Sequence, residues 1–303
     1  MLENDEFWDF YWEIRLQAME NLGKREAVLA ASRLVRQISQ QNGQPVRILE
    51  LGCGEGQVIG TLIDAHTALC DTQIVVGVDY NAHSLAQCQH DFPGLYCING
   101  NFTDPDLLTR LGNYDLVLLV NALHEVFSAE ISPELEELNI LPAKQHVEEA
   151  LAGAVSCLVP GGWLVLFDGL EPAGDPADLL QIRFQDLQVW NEFEIFASQY
   201  QPFRISYRKL ETPMNIEISR RNFTRYITKS IFLAKLLWQT ERLESYQYFS
   251  LDEFRAAFAR QGLEIIELRS LTINIDKWRH KVEILSPDED FPDEHVLILA
   301  RKI

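Results

Sequence analysis

The segment Val46-Arg-Ile-Leu-Glu-Leu-Gly-Cys-Gly-Glu-Gly56 constrains this chain more than any other. Val46, Ile48, Leu49 and Leu51 make a short apolar run that stops at Gly52, Gly54 and Gly56. Such a run predicts a strand buried on both faces that feeds a tight turn. Glycines at alternate positions permit positive φ and leave the backbone bare, so a ligand can lie against it. From Gln57 to Ala65 the apolar residues Val58, Ile59, Leu62 and Ile63 recur at helical spacing. They predict a helix whose first N–H groups face the turn.

The spacing of the glycines bears on the ligand. A dinucleotide fingerprint needs G-x-G-x-x-G; aligned on Gly52 and Gly54, its third glycine falls at Gln57. The pattern here is instead Glu50-x-Gly52-x-Gly54-x-Gly56. Some 23 residues beyond Gly56, a second apolar run, Ile74-Val-Val-Gly-Val78, ends in Asp79. An acid at that position can accept the hydroxyls of a ribose.

With these residues the sequence resembles the class I S-adenosylmethionine-dependent methyltransferases. Leu158-Val-Pro-Gly-Gly162 before an apolar strand is a second point of resemblance. The resemblance covers 46–170 firmly and 250–303 loosely. It implies an α/β fold with a doubly wound, seven-stranded, mostly parallel sheet whose last strand runs antiparallel beside the sixth. It also implies S-adenosylmethionine as cofactor, held by Glu50, Gly52, Gly54, Gly56, Asp79 and Tyr80. Asn101 would then meet the adenine edge and Phe102 its face, with Asn121 and Ala122 at the end of the fourth strand completing the site.

Composition limits the partners. The 303 residues carry a net charge of −19, which disfavours sequence-independent binding to nucleic acid or to an anionic membrane. The hydrophobic fraction, 47%, suits a globular domain with a sizeable core. The five cysteines have no C-x-x-C or metal-ligand spacing, so they are expected to be reduced thiols of a cytoplasmic protein. The acidic N-terminal residues lack the apolar run of a signal peptide, and no apolar run is long enough to span a membrane.

The chain then reads as three parts. Residues 1–40 predict N-terminal helices, with Phe7, Trp8, Phe10, Tyr11 and Trp12 close together, that either dock on the sheet or pack over the cofactor; Tyr11 and Arg15 are candidate substrate contacts. Residues 41–170 and 250–303 form the expected cofactor-binding domain. Ser250 with Glu253 predicts a capping box, and Gly262 a helix end. Residues 171–249 break the β/α alternation and are too many for a loop. Helical periodicity in 183–196 and 223–246 predicts a helical cap inserted after the fifth strand. The span 201–242 holds nine basic and three acidic residues. That excess is either a solvated face or a place for an anionic group of the acceptor, with Arg221, Arg225 and Tyr226 as candidate contacts.

Tyr114-Asp-Leu-Val-Leu-Leu-Val120 is a clear buried strand that delivers Asn121-Ala-Leu-His124-Glu125 to the ligand side of the sheet. His124 is the candidate general base and Glu125 its companion. Small-molecule O-methyltransferases resembled here carry Leu-His-Asp-Trp at this place, whereas this chain has Leu123-His124-Glu125-Val126. The other reading makes His124 a pocket-lining residue. Asp168 and Glu171 are conceivable metal ligands, but no metal is expected. The expected function is methyl transfer, at oxygen, to a small or medium-sized molecule or short peptide. The alternative is a non-catalytic S-adenosylmethionine-binding sensor or partner subunit.

Overall fold

The computed structural model describes residues 19, 22–130 and 140–303. Tyr11 and Arg15 lie outside the described residues. The expected sheet is present. Its strands, in chain order, are β1 (Val46–Leu51), β2 (Cys70–Asp79), β3 (Tyr96–Asn99), β4 (Tyr114–Val120), β5 (Leu158–Gly169), β9 (Leu263–Leu271) and β11 (His295–Lys302). They lie in the order β3-β2-β1-β4-β5-β11-β9, and the last strand is antiparallel. β1 pairs in parallel with both β2 and β4, which puts Glu50 level with Gly77 on one side and Leu118 on the other. Buried on both faces, Ile48, Leu49, Leu51 and Leu116 to Leu119 are wholly inaccessible to solvent. That is why these strands read as continuous apolar runs.

The chain divides into two compact units. The first comprises residues 1–120, 154–167 and 297–303; the second comprises 121–153 and 168–296. In the first unit, α1 (Leu22–Asn42) buries Ala27, Val28, Ala31, Leu34, Val35 and Ile38. α2 (Gln57–Ala65), α3 (Ala82–Asp91) and α4 (Pro105–Leu111) follow β1, β2 and β3. Asn81 caps α3, accepting from the N–H groups of His83 and Ser84, and Asp104 caps α4 in the same manner. Arg47 clamps Asp115 with its backbone N–H and two guanidinium N–H groups, tying the starts of β1 and β4.

The second unit departs from the helical expectation for 171–249. It contains α5 (Leu123–Ser128), α6 (Ile140–Ser156), β6 (Leu179–Phe184), α7 (Leu187–Gln199), β7 (Tyr207–Lys209), β8 (Asn215–Ser219), α8 (Arg220–Lys229), α9 (Trp238–Glu241), α10 (Leu251–Arg260), α11 (Ile275–Lys281) and β10 (Val282–Ile284). The four short strands form a second, antiparallel sheet in the order β10-β6-β8-β7. Residues 183 and 184, expected in a helix, end a strand. In β6 the side chains alternate, with Leu180, Ile182 and Phe184 inaccessible and Leu179, Gln181 and Arg183 outward. That period of two is what makes it a strand. The helix starts at Asp186, whose carboxylate accepts from the Val189 N–H. The helix expected over 223–246 is broken into α8, a 3₁₀ turn and α9.

An aromatic core fills this unit. Phe184, Phe193, Phe196, Phe223, Tyr226 and Trp278 are all buried there, several edge to face. Each such ring contributes on the order of 1.5–3 kcal/mol by burial. α10 begins with the expected capping box, Ser250 and Glu253 bonding each other's backbone, and Gly262 follows it at φ 67°. No described helix is long and apolar enough to cross a membrane.

Candidate active site

In the first unit the turn after β1 has the predicted backbone. Gly52, Gly54 and Gly56 all adopt positive φ, at 77°, 53° and 74°. Gly56 must be glycine for a second reason: a Cβ there would fall 2.3 Å from the Cys88 sulfur. Beside Gly54 a Cβ would meet nothing within 4 Å, so open space adjoins the bare backbone. The Gly52 and Cys53 N–H groups both bond the Val78 carbonyl. Asp79 then accepts from the Gly54 N–H at 2.8 Å through Oδ2 and from the Asn81 N–H at 2.8 Å through Oδ1. Both oxygens are thereby oriented, and each keeps a lone pair for a ligand hydroxyl.

Glu50 is 2% exposed and accepts from the Ile59 N–H at 3.0 Å. Burial raises its carboxyl to about 8, against 4.5 in the open. It ties the first turn of α2 to the end of β1 and so shapes the glycine turn. Tyr80 is 65% exposed next to Asp79. Where β3 ends, the Gly100 N–H bonds the Asp79 carbonyl, which brings Asn101 and Phe102 to the same end of the sheet. Asn101 is exposed and its side-chain oxygen accepts from the Thr103 N–H and hydroxyl; Phe102 is buried. An adenosyl ligand fits these residues: bare backbone with open space beside it, an oriented carboxylate, and an amide and a ring at the next strand end.

The second unit holds His124. The strand before it is followed by Asn121, at φ 53°, whose side-chain oxygen is buried without a partner. The N–H groups of Ala122, Leu123 and His124 converge on Asp168 Oδ2 at 3.1, 2.7 and 3.3 Å. Asp168 Oδ1 takes the His124 Nδ1 at 2.9 Å and the Gly169 N–H at 2.7 Å. On the other side of the ring, Nε2 lies 3.7 Å from Glu244. Tyr246 stacks on the imidazole at 3.7 Å, and Lys229 Nζ sits 4.2 Å over Tyr246. Lys229 is itself inaccessible and bonds Glu241 at 2.6 Å and Glu244 at 3.1 Å.

This geometry fixes the charge of the ring. Burial opposes a charged imidazole, but Asp168 and then Glu244 outweigh it and raise His124 to about 10. Burial likewise opposes the Glu244 carboxylate, but the His124 and Lys229 charges hold it at about 2, and Asp168 is lowered in the same way by His124 and the backbone N–H groups. His124 is an imidazolium at neutral pH, with Nδ1–H given to Asp168.

Glu125, the expected companion, is exposed, and Asp168 takes the part of orienting carboxylate instead. Adjacent residues on a helix point apart, and this is the reason. The sequence signal for Asp168 is an acid near the end of a strand on the ligand side of the sheet, which suits a metal ligand and an orienting carboxylate alike. Glu244 and Lys229 left no local signal. Among the described residues no group of three or more His, Cys, Asp or Glu is arranged to hold a metal.

The candidate substrate contacts separate. Tyr226 is inaccessible, packed among Phe184, Phe193, Phe196 and Trp278, so it is a core residue and no ligand can reach it. Arg221 is partly exposed and bonds Glu171 at 2.9 Å. Arg225 is 5% exposed, lies 3.7 Å from the Phe203 ring centre, and donates to Asn222. Its Nε is buried without a partner, and burial lowers the guanidinium to about 10.

Comparison with known proteins bears on the strands and turn described first. Residues 48–162 match the family model described as a methyltransferase domain. No curated protein sequence is similar enough to count as a match. Solved structures with a similar fold include an S-adenosylmethionine-dependent methyltransferase from Mesorhizobium loti, 18% identical, covering 86% of this chain and 92% of that one, with a TM-score of 0.46. An amino pentose methyltransferase of calicheamicin biosynthesis from Micromonospora echinaspora is 15% identical, covering 97% of each chain at a TM-score of 0.46. A magnesium protoporphyrin IX methyltransferase from Synechocystis is 11% identical, covering 99% and 96% at 0.45. Likeness at this level does not identify an acceptor.

Proposed function

We propose a specific acceptor chemistry for this chain, which carries an S-adenosylmethionine-dependent methyltransferase domain and is an enzyme of that class. The acceptor is a small or medium-sized molecule with two acidic groups: one is held by Arg225, and a carboxylate oxygen of the other takes the methyl. Arg225 carries this reading. A buried cation is costly unless an anion and hydrogen-bond acceptors satisfy it. Its Nε has no acceptor, and among the described residues no carboxylate bonds to it. Glu171 already acts on its charge; an anionic group of the acceptor would supply the missing hydrogen-bond acceptor, with Arg221 nearby in sequence and partly exposed.

The choice of oxygen follows from His124. When bound, S-adenosylmethionine supplies an electrophilic sulfonium methyl. A hydroxyl nucleophile gains from a base to take its proton, but His124 already holds both ring protons at neutral pH. A carboxylate oxygen is anionic without help. On this reading His124 is a positioning residue: it joins Asp168 to the 244–246 segment.

The test is transfer of labelled methyl from S-adenosylmethionine to a panel of dicarboxylic acids, phenols and amines at pH 7. The reading expects a methyl ester, recognised because mild alkali releases the label as methanol, and turnover that stays level from pH 6 to 8. Label on a phenol or amine, or turnover that climbs tenfold per pH unit across that range, would contradict it.

A further inference from the structure

Three of the five cysteines lie together behind the glycine turn, though they are 35 and 9 residues apart in sequence. Cys53 sits inside the turn, between Gly52 and Gly54. Cys88 is on α3 and Cys97 on β3. The Cys97 thiol points at the Cys88 sulfur at 3.5 Å, while the Cys53 thiol points at the Gly54 carbonyl at 3.8 Å. Cys88 and Cys53 are buried and Cys97 is half-buried, so one member of the group reaches solvent. The sulfurs are also wedged against the turn itself. The Cys88 sulfur occupies the space that a side chain at Gly56 would need, and the Cys53 sulfur does the same at Gly77 of β2.

We propose that Cys88 and Cys97 form a reversible oxidation site, and that the disulfide between them weakens the turn's hold on S-adenosylmethionine. Bonding would draw the two sulfurs from 3.5 Å to about 2.05 Å. Cys88 would then withdraw from Gly56 and from the Cys53 thiol, loosening the packing that fixes the turn. The oxidant is a hydroperoxide, small enough to enter beside Cys97. The Cys88 thiolate attacks the peroxide O–O bond, giving a sulfenic acid and one hydroxide, which leaves as water. The Cys97 sulfur then attacks the Cys88 sulfur, and the second hydroxide takes the Cys97 proton and departs as water. Two thiols thus lose two electrons and two protons, and one hydrogen peroxide becomes two waters. Cellular thiols reverse the bond.

The local chemistry supports this order of events. The neighbouring Cys53 and Cys97 thiols lower Cys88 to about 7 despite burial, while burial and Cys88 hold Cys97 up at about 12. Cys88 is therefore the nucleophile and Cys97 the resolving partner.

The inference rests on the turn being the cofactor site, so its test reads the two separately. The full chain is treated with hydrogen peroxide, free thiols are alkylated, and digested peptides are mapped by mass spectrometry without cofactor. S-adenosylmethionine affinity is then measured by calorimetry on reduced, oxidised and re-reduced protein. The expected result is a Cys88–Cys97 cross-linked peptide and an affinity lower by about fivefold or more on oxidation, the low end of ordinary coupling between sites. Dithiothreitol should restore it, and peroxide should leave C97S unchanged; C88S serves if C97S does not fold. Absence of that cross-link, or equal affinity in both redox states, would overturn the proposal. Failure of reduced protein to bind the cofactor would instead overturn the premise.

Discussion

Glu50 in the first unit and the Asp168–Glu244 pair in the second are buried carboxyl groups that handle charge in opposite ways. Glu50 has a backbone N–H for company, and burial pushes it up to about 8. Asp168 and Glu244 flank an imidazolium and stay ionised below their ordinary range. The first region leaves bare backbone and Asp79 to a ligand. The second spends its charges on one another. A site made to receive a cofactor and a cluster made to hold segments together differ in that respect, and variants should separate the two.

The largest effect is expected at Asp79. Asp79→Ala removes the oriented carboxylate, and two hydrogen bonds to a charged group at about 1.5–3 kcal/mol each make S-adenosylmethionine affinity fall roughly 100-fold or more by calorimetry. The melting temperature should fall only modestly, since the Gly54 and Asn81 N–H groups that lose their acceptor lie at a strand end. His124→Ala should do the reverse. It leaves Asp168 without its cation, while Lys229 still holds Glu244, and should cost about 3–5 kcal/mol in denaturant unfolding, with cofactor affinity changed far less. Were the cofactor lost and stability kept, the division between the regions would fail.

The pH dependence of His124 sharpens the point. Its folded value near 10 exceeds the ordinary 6.5, so its contribution is complete below pH 6.5 and is lost as pH rises to 10. Unfolding curves of the wild type should show that decline, and those of His124→Ala should not.

Arg225→Gln is expected to raise the acceptor KM about tenfold or more, from one charged hydrogen-bonding partner, with kcat moved much less. The smallest effect belongs to Glu50→Gln, which keeps an acceptor for Ile59. Glu50 stabilises the fold below pH 4.5 and does so less as pH rises through 8. The variant should flatten that slope while leaving stability at pH 4 within about 1 kcal/mol of the wild type.

The same contrast explains what was legible in the sequence. The turn, Asp79, the capping box at Ser250 and the sheet order are local patterns, or follow from them by the rules of α/β folds. Each depends on residues within a few positions of one another. The cluster around His124 draws Asp168 from 44 positions away and Lys229 and Glu244 from farther still, so no local pattern announces it. Glu125 was expected at the imidazole because it is the sequence neighbour. The second sheet was missed because its strands are three to six residues long and sit among residues that also satisfy helical spacing. Tyr226 looked available beside Arg225, yet α8 packs it into the aromatic core.

The central claim is that the bare turn at 52–56 with Asp79 receives an adenosyl sulfonium compound, and titration calorimetry of the wild-type chain tests it most directly. Saturable binding of S-adenosylmethionine at one site, abolished in Asp79→Ala, with no heat from NAD, is the predicted result. Tight NAD binding, together with no response to S-adenosylmethionine, would contradict the account.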